Sequence, residues 1–476
     1  MSEKISLDSS DINTIFAKLL RIPTTPMTRY FKKYSLHYRS LLAMGVPIMV
    51  GQLGVILTGF VDNIMVGHHT TAELSAASFV NNIFMLPLMF ATGFAMGITP
   101  LIGEQTGRNE LPQAGQIFRY GLFANGILAA SLILIMGTLY FFLDRMGLPQ
   151  ELLPLMRPYY LLHLIGLVPV LLFNAFKQFA DGTTDTLTPM FILLSSNLLN
   201  IIGNTVLIYG YAGFPEWGLF GAGVSTLTAR IFTIVAGLCI FMYRKRYRRF
   251  KSGFFRLPSN RKLYRPILTM GIPVALQLGM ETGSFSLSVI FIGWIGSTAL
   301  AAHQAAVTFS TIGFLLYSGI GAAVTILISN ARGSNRDHEI RPIATAGIHI
   351  VLGLILVVTG IMFFARQHIG YIFTDSPDVA MLVSAIVIPM IVYQLGDGLQ
   401  ITLAGALRGL GVVKPMVWIA FISYFIVSLP ASYCFAFLCR GGAPGVWWGY
   451  PVGLSCAALL FFWQFHQNSK PEKIRH

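Results

Sequence analysis

Twelve long apolar segments run through almost the whole chain, and each is long enough to cross a bilayer as a helix. About 20 apolar residues in a helix span the roughly 30 Å hydrocarbon core of a membrane. The segments are continuously apolar rather than alternating, which favours helices over a β-barrel. They lie at 41–66, 73–102, 115–143, 152–176, 187–210, 219–243, 266–294, 299–328, 342–365, 379–407, 415–438 and 445–466. We therefore expect an all-α polytopic membrane protein with twelve transmembrane helices.

The net charge is +14, but the distribution of the basic residues argues against nucleic-acid binding. With an even number of spans both termini share one side, and alternate assignment of the loops puts 28 of the 33 Lys and Arg residues there. Basic loops are retained in the cytoplasm. We therefore expect both termini to be cytoplasmic and the protein to lie in the cell inner (plasma) membrane. The expected partners are membrane lipids and small molecules, with no nucleic acid, and the protein is expected to be a monomer.

The longest polar stretch between spans, RKRYRRFKSGFFRLPSNRKLYR, divides the chain into two sets of six spans. Within the N-terminal part, DINTIFAKLLRI could lie along the inner membrane surface or form a solvated tail. The predicted organisation is a cytoplasmic N-terminal segment at 1–40, an N-terminal lobe at 41–243, a basic cytoplasmic linker at 244–265, a C-terminal lobe at 266–466 and a cytoplasmic tail at 467–476.

The two sets of spans resemble each other at an offset of 226 residues. Gly45 matches Gly271 and Gly107 matches Gly333, and the register holds across five spans. Because six is even, both repeats begin on the same side of the membrane. They should therefore form two six-helix lobes related by a pseudo-two-fold axis along the membrane normal. Transporters with this symmetry bind substrate between the lobes and alternate access by rocking them.

The chain contains no motif of a common enzyme. It has no GxxxxGK[ST] phosphate loop, no HExxH and no GxSxG, so we expect neither ATP hydrolysis nor another catalytic activity. Its four cysteines have no metal-binding or redox spacing. We expect no cofactor other than a coupling ion.

Two acidic residues interrupt apolar segments of the second lobe, where an ionisable group usually marks an ion or substrate pathway. Glu281 lies on a polar stripe of span 7, and Asp397 lies one turn after Tyr393 in span 10. Carboxylate oxygens are hard ligands and an aromatic ring attracts a cation, so Glu281 and Asp397, with Tyr393, are candidate Na⁺ ligands. The two acids could instead share a proton. The spacing does not separate sodium from proton.

The first lobe has one such acid among amides. Asp62 ends the apolar part of span 1, and Asn200 and Asn204 share a face of span 5. Asn174, near the end of span 4, adds another amide. These residues are candidates for substrate binding or coupling. The alternative for the asparagines is hydrogen bonding between helices, worth about 0.6 kcal/mol per bond.

Taken together, five motifs resemble the multidrug and toxic compound extrusion (MATE) transporters, in particular their NorM-like branch. They are GVPIMVGQLG with GFVDNIMVG in span 1, LNIIGNTVLIYG in span 5, GIPVALQLGMET in span 7, YQLGDGLQ in span 10, and ALRGLG before KPM. The resemblance implies that Glu281, Asp397 and Tyr393 bind sodium. It also implies that Asp62 takes part in coupling and drug extrusion, together with Asn200 and Asn204. Some relatives carry an acid at the position of Asn204.

These observations predict a secondary antiporter that exports cationic or amphipathic compounds in exchange for Na⁺ or H⁺ by rocker-switch alternating access. The alternative is a flippase for lipid-linked precursors from the same superfamily. Such a protein needs a cavity rich in Arg and Lys to hold pyrophosphate. The embedded acids favour cations instead.

Overall fold

The computed structural model describes residues 34–145, 150–258, 260–374 and 376–470. Within these residues, twelve helical spans are long and apolar enough to cross a membrane. Spans 1 to 6 are Ser35–His69, Thr71–Gly107, Leu111–Tyr140, Gln150–Gly182, Leu187–Tyr209 and Gly218–Tyr243. Spans 7 to 12 are Arg261–Ile295, Ser297–Gly333, Asp337–Ile372, Pro377–Gly409, Lys414–Leu438 and Gly442–Asn468. The predicted all-α fold with twelve spans is confirmed.

Most of the helices extend beyond the apolar segments that predict them. Span 8 ends at Gly333 rather than at 328, and span 9 begins at Asp337 rather than at 342. Helical hydrogen bonds do not require apolar side chains, so a helix can continue into the polar headgroup region. Span 2 consists of two helices, Thr71–Met96 and Ile98–Gly107. The predicted surface segment DINTIFAKLLRI lies outside the described residues.

The basic stretch between the two sets of spans contains a helix, Arg248–Arg256, that packs against the start of span 3. Phe250 is buried there, and a side-chain carbon at Gly253 would collide with the carbonyl of Pro112. Arg119 of span 3 donates to the carbonyl of Phe254 (Nη1···O, 2.9 Å). The linker helix is therefore attached to the first lobe.

Reciprocal contacts between spans 2 and 8 reveal the pseudo-two-fold axis. A side-chain carbon at Gly107 would collide with the carbonyl of Asn330, and one at Gly333 would collide with the carbonyl of Glu104. Gly107 and Gly333 are 226 positions apart in the sequence, and so are Glu104 and Asn330. Because a contact and its symmetry mate both occur, an axis must pass between these two spans.

The two lobes contact each other at the end of the molecule that carries the linker. Ser318 donates to Gln52 (Oγ···Oε1, 2.6 Å), and Ser334 donates to the carbonyl of Gly107 (3.1 Å). Such contacts involve the first halves of spans 1 and 7 and the second halves of spans 2 and 8, which all lie at this end.

At the other end, most residues around one turn of span 1 are exposed. They are Val55, Ile56, Leu57, Gly59 and Phe60, and Thr58 between them is half-buried. The half-buried face lies toward span 5 of the same lobe, so this part of span 1 is not packed against the opposite lobe. The lobes are therefore closed at the linker end and open at the other.

Candidate functional site

In the second lobe, the polar stripes of spans 7 and 10 turn inward and are buried. Glu281 is 7% exposed and Asp397 is fully buried, at 0%. Gln400, one turn after Asp397, donates to Glu281 (Nε2···Oε2, 3.4 Å) and to the hydroxyl of Tyr424 in span 11 (2.9 Å). The negative charge of Glu281 acts on Asp397. The structure thus brings the two predicted acids into one polar cluster.

The carboxylate of Asp397 lacks hydrogen-bond donors among the described residues. Both of its oxygens are buried without a partner. Each unsatisfied buried acceptor costs about 1–3 kcal/mol, and more when it is charged. A proton or a cation at this carboxylate would offset that cost.

The ring of Tyr393 lies in an aromatic cluster beside the two acids. Its centroid is 6.1 Å from that of Phe285, 6.2 Å from that of Trp447 and 6.4 Å from that of Tyr450. Tyr393 and Asp397 are one helical turn apart, so they share a face of span 10. The ring therefore borders the region that a cation bound to Asp397 would occupy.

Span 11 contributes to the cluster through an irregular backbone that the sequence did not predict. Residues Phe421–Ser428 form a π-helix within this span. Tyr424 lies in it, where its carbonyl accepts from Ser284 of span 7 (3.3 Å) and its hydroxyl accepts from Gln400. π-Helical turns recur at functional sites because they shift side chains out of the regular helical register.

Arg408, in the last turn of span 10, is a buried residue that the sequence did not predict for the site. The apolar segment that predicts span 10 ends at 407, so the sequence predicts that Arg408 lies just outside the membrane. In the structure, the helix continues to Gly409 and Arg408 is 6% exposed. Its charge acts on Glu281. The spacing of Arg408 from Asp397 indicates its burial, since residues eleven apart lie on one face of a helix.

In the first lobe, the structure joins three of the four predicted residues. Asn204 donates to Asp62 (Nδ2···Oδ1, 2.5 Å) and lies 3.5 Å from the side-chain oxygen of Asn200. Asn200 in turn donates to Thr226 of span 6 (Nδ2···Oγ1, 3.3 Å). The carboxylate of Asp62 therefore has a donor, which Asp397 lacks.

Asn174 is not part of this network. It contacts Thr92 of span 2 (Nδ2···Oγ1, 3.5 Å), and no hydrogen bond to Asp62 is found among the described residues. Its assignment to a substrate site stays a prediction.

A second guanidinium, which is half-buried, lies near Asp62. The charge of Arg230 in span 6 acts on Asp62, and the Asp62 charge acts on Arg230. The guanidinium packs on Gly166 of span 4, where a side-chain carbon would lie 2.7 Å from Nη1. Within the described residues, no ion pair shorter than 4 Å joins Arg230 to Asp62, so the attraction acts at longer range.

A transition-metal site does not fit this chemistry. The described residues contain no group of three His, Cys, Asp or Glu side chains able to hold a metal ion. What the second lobe offers is two carboxylates and an aromatic ring, a donor set suited to a monovalent cation or to protons.

The fold and these embedded acids define a class: a multi-pass membrane protein built from two symmetry-related six-helix lobes. The chain belongs to the MatE family, whose model matches residues 47–206 and 273–434. The two matches begin 226 residues apart, which agrees with the repeat. The chain is 30% identical over 418 residues to the "Probable multidrug resistance protein NorM" of Oceanobacillus iheyensis. The alignment covers 87% of this chain and 93% of that protein.

Solved structures of MATE transporters share the fold. One is described as the "Outward-facing conformation of a multidrug resistance MATE family transporter of the MOP superfamily" (TM-score 0.83, 19% identity, 92% of this chain and 97% of that one). Another is the Vibrio cholerae transporter VcmN (TM-score 0.84, 18% identity, 93% and 99% coverage). A third is a MOP superfamily transporter from Pyrococcus furiosus, described as having a binding pocket of reverse polarity and a different function (0.83, 20%, 92% and 97%).

Proposed function

We propose that this protein is a secondary active multidrug efflux antiporter rather than an enzyme. It exports cationic or amphipathic compounds in exchange for Na⁺ or H⁺ across the inner membrane, with both termini in the cytoplasm. The NorM relative, with alignment over most of both chains, supports the drug-export activity. Contact of the lobes at the linker end and separation at the other supports rocker-switch alternating access, with this conformation open to the outside.

The observation that carries the coupling proposal is the unpartnered carboxylate of Asp397. Both its oxygens lack donors within the described part of the chain, and Glu281 adds a second negative charge nearby. Two like charges in apolar surroundings are costly, so the cluster is stabilised by a cation. Sodium is favoured over the proton because the ring of Tyr393 can contribute to a sodium site and has no role for a proton.

In this mechanism, sodium entering from outside binds at Glu281, Asp397 and Tyr393, while the drug binds nearer to Asp62, Asn200 and Asn204. Each ligand favours a different arrangement of the lobes, so each lowers the affinity for the other. One cation moving down 100 mV supplies about 2.3 kcal/mol, enough for a roughly fiftyfold gradient of a neutral drug.

The test is dye transport in everted vesicles or proteoliposomes, driven separately by a sodium gradient and by a pH gradient. The proposal predicts that sodium loaded in the lumen drives dye accumulation without a pH gradient. If accumulation follows the pH gradient and ignores sodium, the coupling ion is the proton. If neither gradient drives transport, the antiporter assignment is wrong.

The flippase alternative requires a cavity with surplus positive charge. Two guanidiniums in the described residues, half-buried Arg230 and buried Arg408, each interact with a carboxylate, Asp62 and Glu281 respectively. Because these charges are offset within the protein, the structure favours cationic substrates over pyrophosphate-linked ones.

A further inference from the structure

A cavity of about 420 Å³ lies at the closed end of the molecule, away from the acids of either lobe. Its walls come from both lobes: Glu104 from the end of span 2, Lys262 and Arg265 from the start of span 7, and Arg332 from the end of span 8. The volume is within the range of small-ligand sites.

The cavity carries surplus positive charge. Its one carboxylate, Glu104, is already engaged by Arg108 (Nη2···Oε1, 2.5 Å) and lies 3.8 Å from Nη1 of Arg332. Lys262 and Arg265 have no carboxylate within 4 Å among the described residues, and both are exposed. Lys262, Arg265 and Arg332 therefore outnumber the single carboxylate of the cavity. This excess of positive charge favours an anionic ligand.

An apolar stripe leads away from this charge. Leu268, Ile272 and Leu276 follow Arg265 at helical spacing, and all three are exposed. The opposite side of span 7 is occupied, because Gly271 packs against Phe94 and Gly97 of span 2. The chain therefore presents cations at the mouth of a cavity and an apolar surface running from there toward the centre of the membrane.

We propose that this cavity binds the phosphate headgroup of an anionic phospholipid, whose acyl chains lie along the stripe. A free phosphate would satisfy the cations but leave the stripe unused. Basic pockets between transmembrane helices on the cytoplasmic side are suited to such headgroups.

The site should also act on the transport cycle. Because spans 2, 7 and 8 all contribute walls, the cavity has this shape only while the lobes are closed at the linker end. A lipid bound here stabilises that conformation by mass action. This consequence rests on the proposed alternating access, whereas lipid binding itself does not.

The experiment measures binding of fluorescent phosphatidylglycerol to the purified full-length protein in detergent. The cavity variant carries Lys262→Gln and Arg265→Gln. The matched control carries Arg248→Gln and Arg249→Gln, two exposed cations of the linker helix outside the cavity. All four side chains are exposed, so both variants should fold, which gel filtration checks.

We expect the cavity variant to bind phosphatidylglycerol about thirtyfold more weakly, taking the usual contribution of two cations to binding of anionic lipid. The control should stay within about twofold of wild type. Equal weakening in both variants would mean diffuse surface attraction and overturn the site. Inorganic phosphate that binds as tightly as the lipid would overturn the lipid assignment. Neither outcome depends on dye transport, so the site and the antiporter proposal can fail separately.

Discussion

The two lobes share one fold but place the acids within their spans at positions that are not equivalent. At the offset of 226 residues, the second-lobe counterpart of Asp62 is Ser288, and the first-lobe counterpart of Glu281 is Val55. The repeated helices supply the common scaffold, and the polar residues that interrupt them differ between the lobes. Symmetry of the fold therefore does not extend to the sites.

The sites differ in how their charge is compensated. Asp62 accepts a hydrogen bond from Asn204 and interacts with the charge of Arg230. Among the residues that the structure describes, Asp397 has neither a donor nor a nearby cation, and Glu281 adds a like charge. The first lobe is largely satisfied by its own residues, whereas the second lobe needs an external positive charge. This difference is the reason we propose cation binding in the second lobe and drug binding in the first.

The largest effect is expected from neutralising the second-lobe acids. Asp397→Asn and Glu281→Gln should each reduce sodium-driven dye efflux to the level of empty liposomes, because the site then no longer needs a cation. Asp378→Asn, at the exposed start of the same span 10, is the matched control and should transport normally. Wild-type rates in both acid variants, with normal insertion, would remove the cation site from the second lobe.

A different outcome is expected for Asp62→Asn. Transport should fall more than drug binding does, because the amide keeps a polar contact with Asn204 but cannot change its charge during the cycle. Drug affinity and efflux are measured on the same preparation across pH. Unchanged transport with an unchanged pH profile would make Asp62 a structural residue only.

A smaller effect should follow removal of the ring of Tyr393. Tyr393→Leu should raise the sodium concentration for half-maximal efflux by about three- to thirtyfold, the range expected for a cation–π contact at a partly or fully desolvated site. Tyr393→Phe keeps the ring and serves as the control. If Leu and Phe variants respond alike, the ring does not contact sodium.

The smallest effect concerns the open end, where the described residues form ion pairs in the first lobe and not in the second. His69 lies 2.6 Å from Glu73 (Nδ1···Oε2) and 2.7 Å from Glu216 (Nε2···Oε1), while Ile295 stands at the equivalent position in the second lobe. Both ring nitrogens face carboxylates, so these contacts favour the charged ring, which carries a proton on each nitrogen.

The stability that this contact contributes is therefore present at low pH and lost when the ring deprotonates at higher pH. His69→Gln should lower stability by up to about 1 kcal/mol at pH 6 and by less at pH 9. Unfolding midpoints at both pH values measure the difference. The control is His68→Gln, because among the described residues the His68 ring bonds only to the carbonyl of Ile64. A pH-independent loss would mean that packing, not charge, explains the effect of His69.

Sequence alone predicted the twelve spans, because an apolar segment of this length has few alternatives to a helix in a membrane. It also predicted that Glu281 and Asp397 contribute to one site, because helical spacing places each acid on a polar stripe of its span. It missed Tyr424, because a π-helix depends on packing that no local pattern encodes. It missed the burial of Arg408, because a charged residue at the end of an apolar segment is usually exposed. The sequence links Asn174 to Asp62 only because both are polar residues in apolar spans. Residue type alone does not give the distance between two side chains.

We propose that sodium binds in the second lobe and not in the first. Binding of radioactive sodium to purified wild-type protein, Asp397→Asn and Asp62→Asn under identical conditions measures this directly. We expect Asp397→Asn to lose sodium binding and Asp62→Asn to bind sodium like the wild type. Loss of sodium binding in Asp62→Asn, with binding retained in Asp397→Asn, would contradict it.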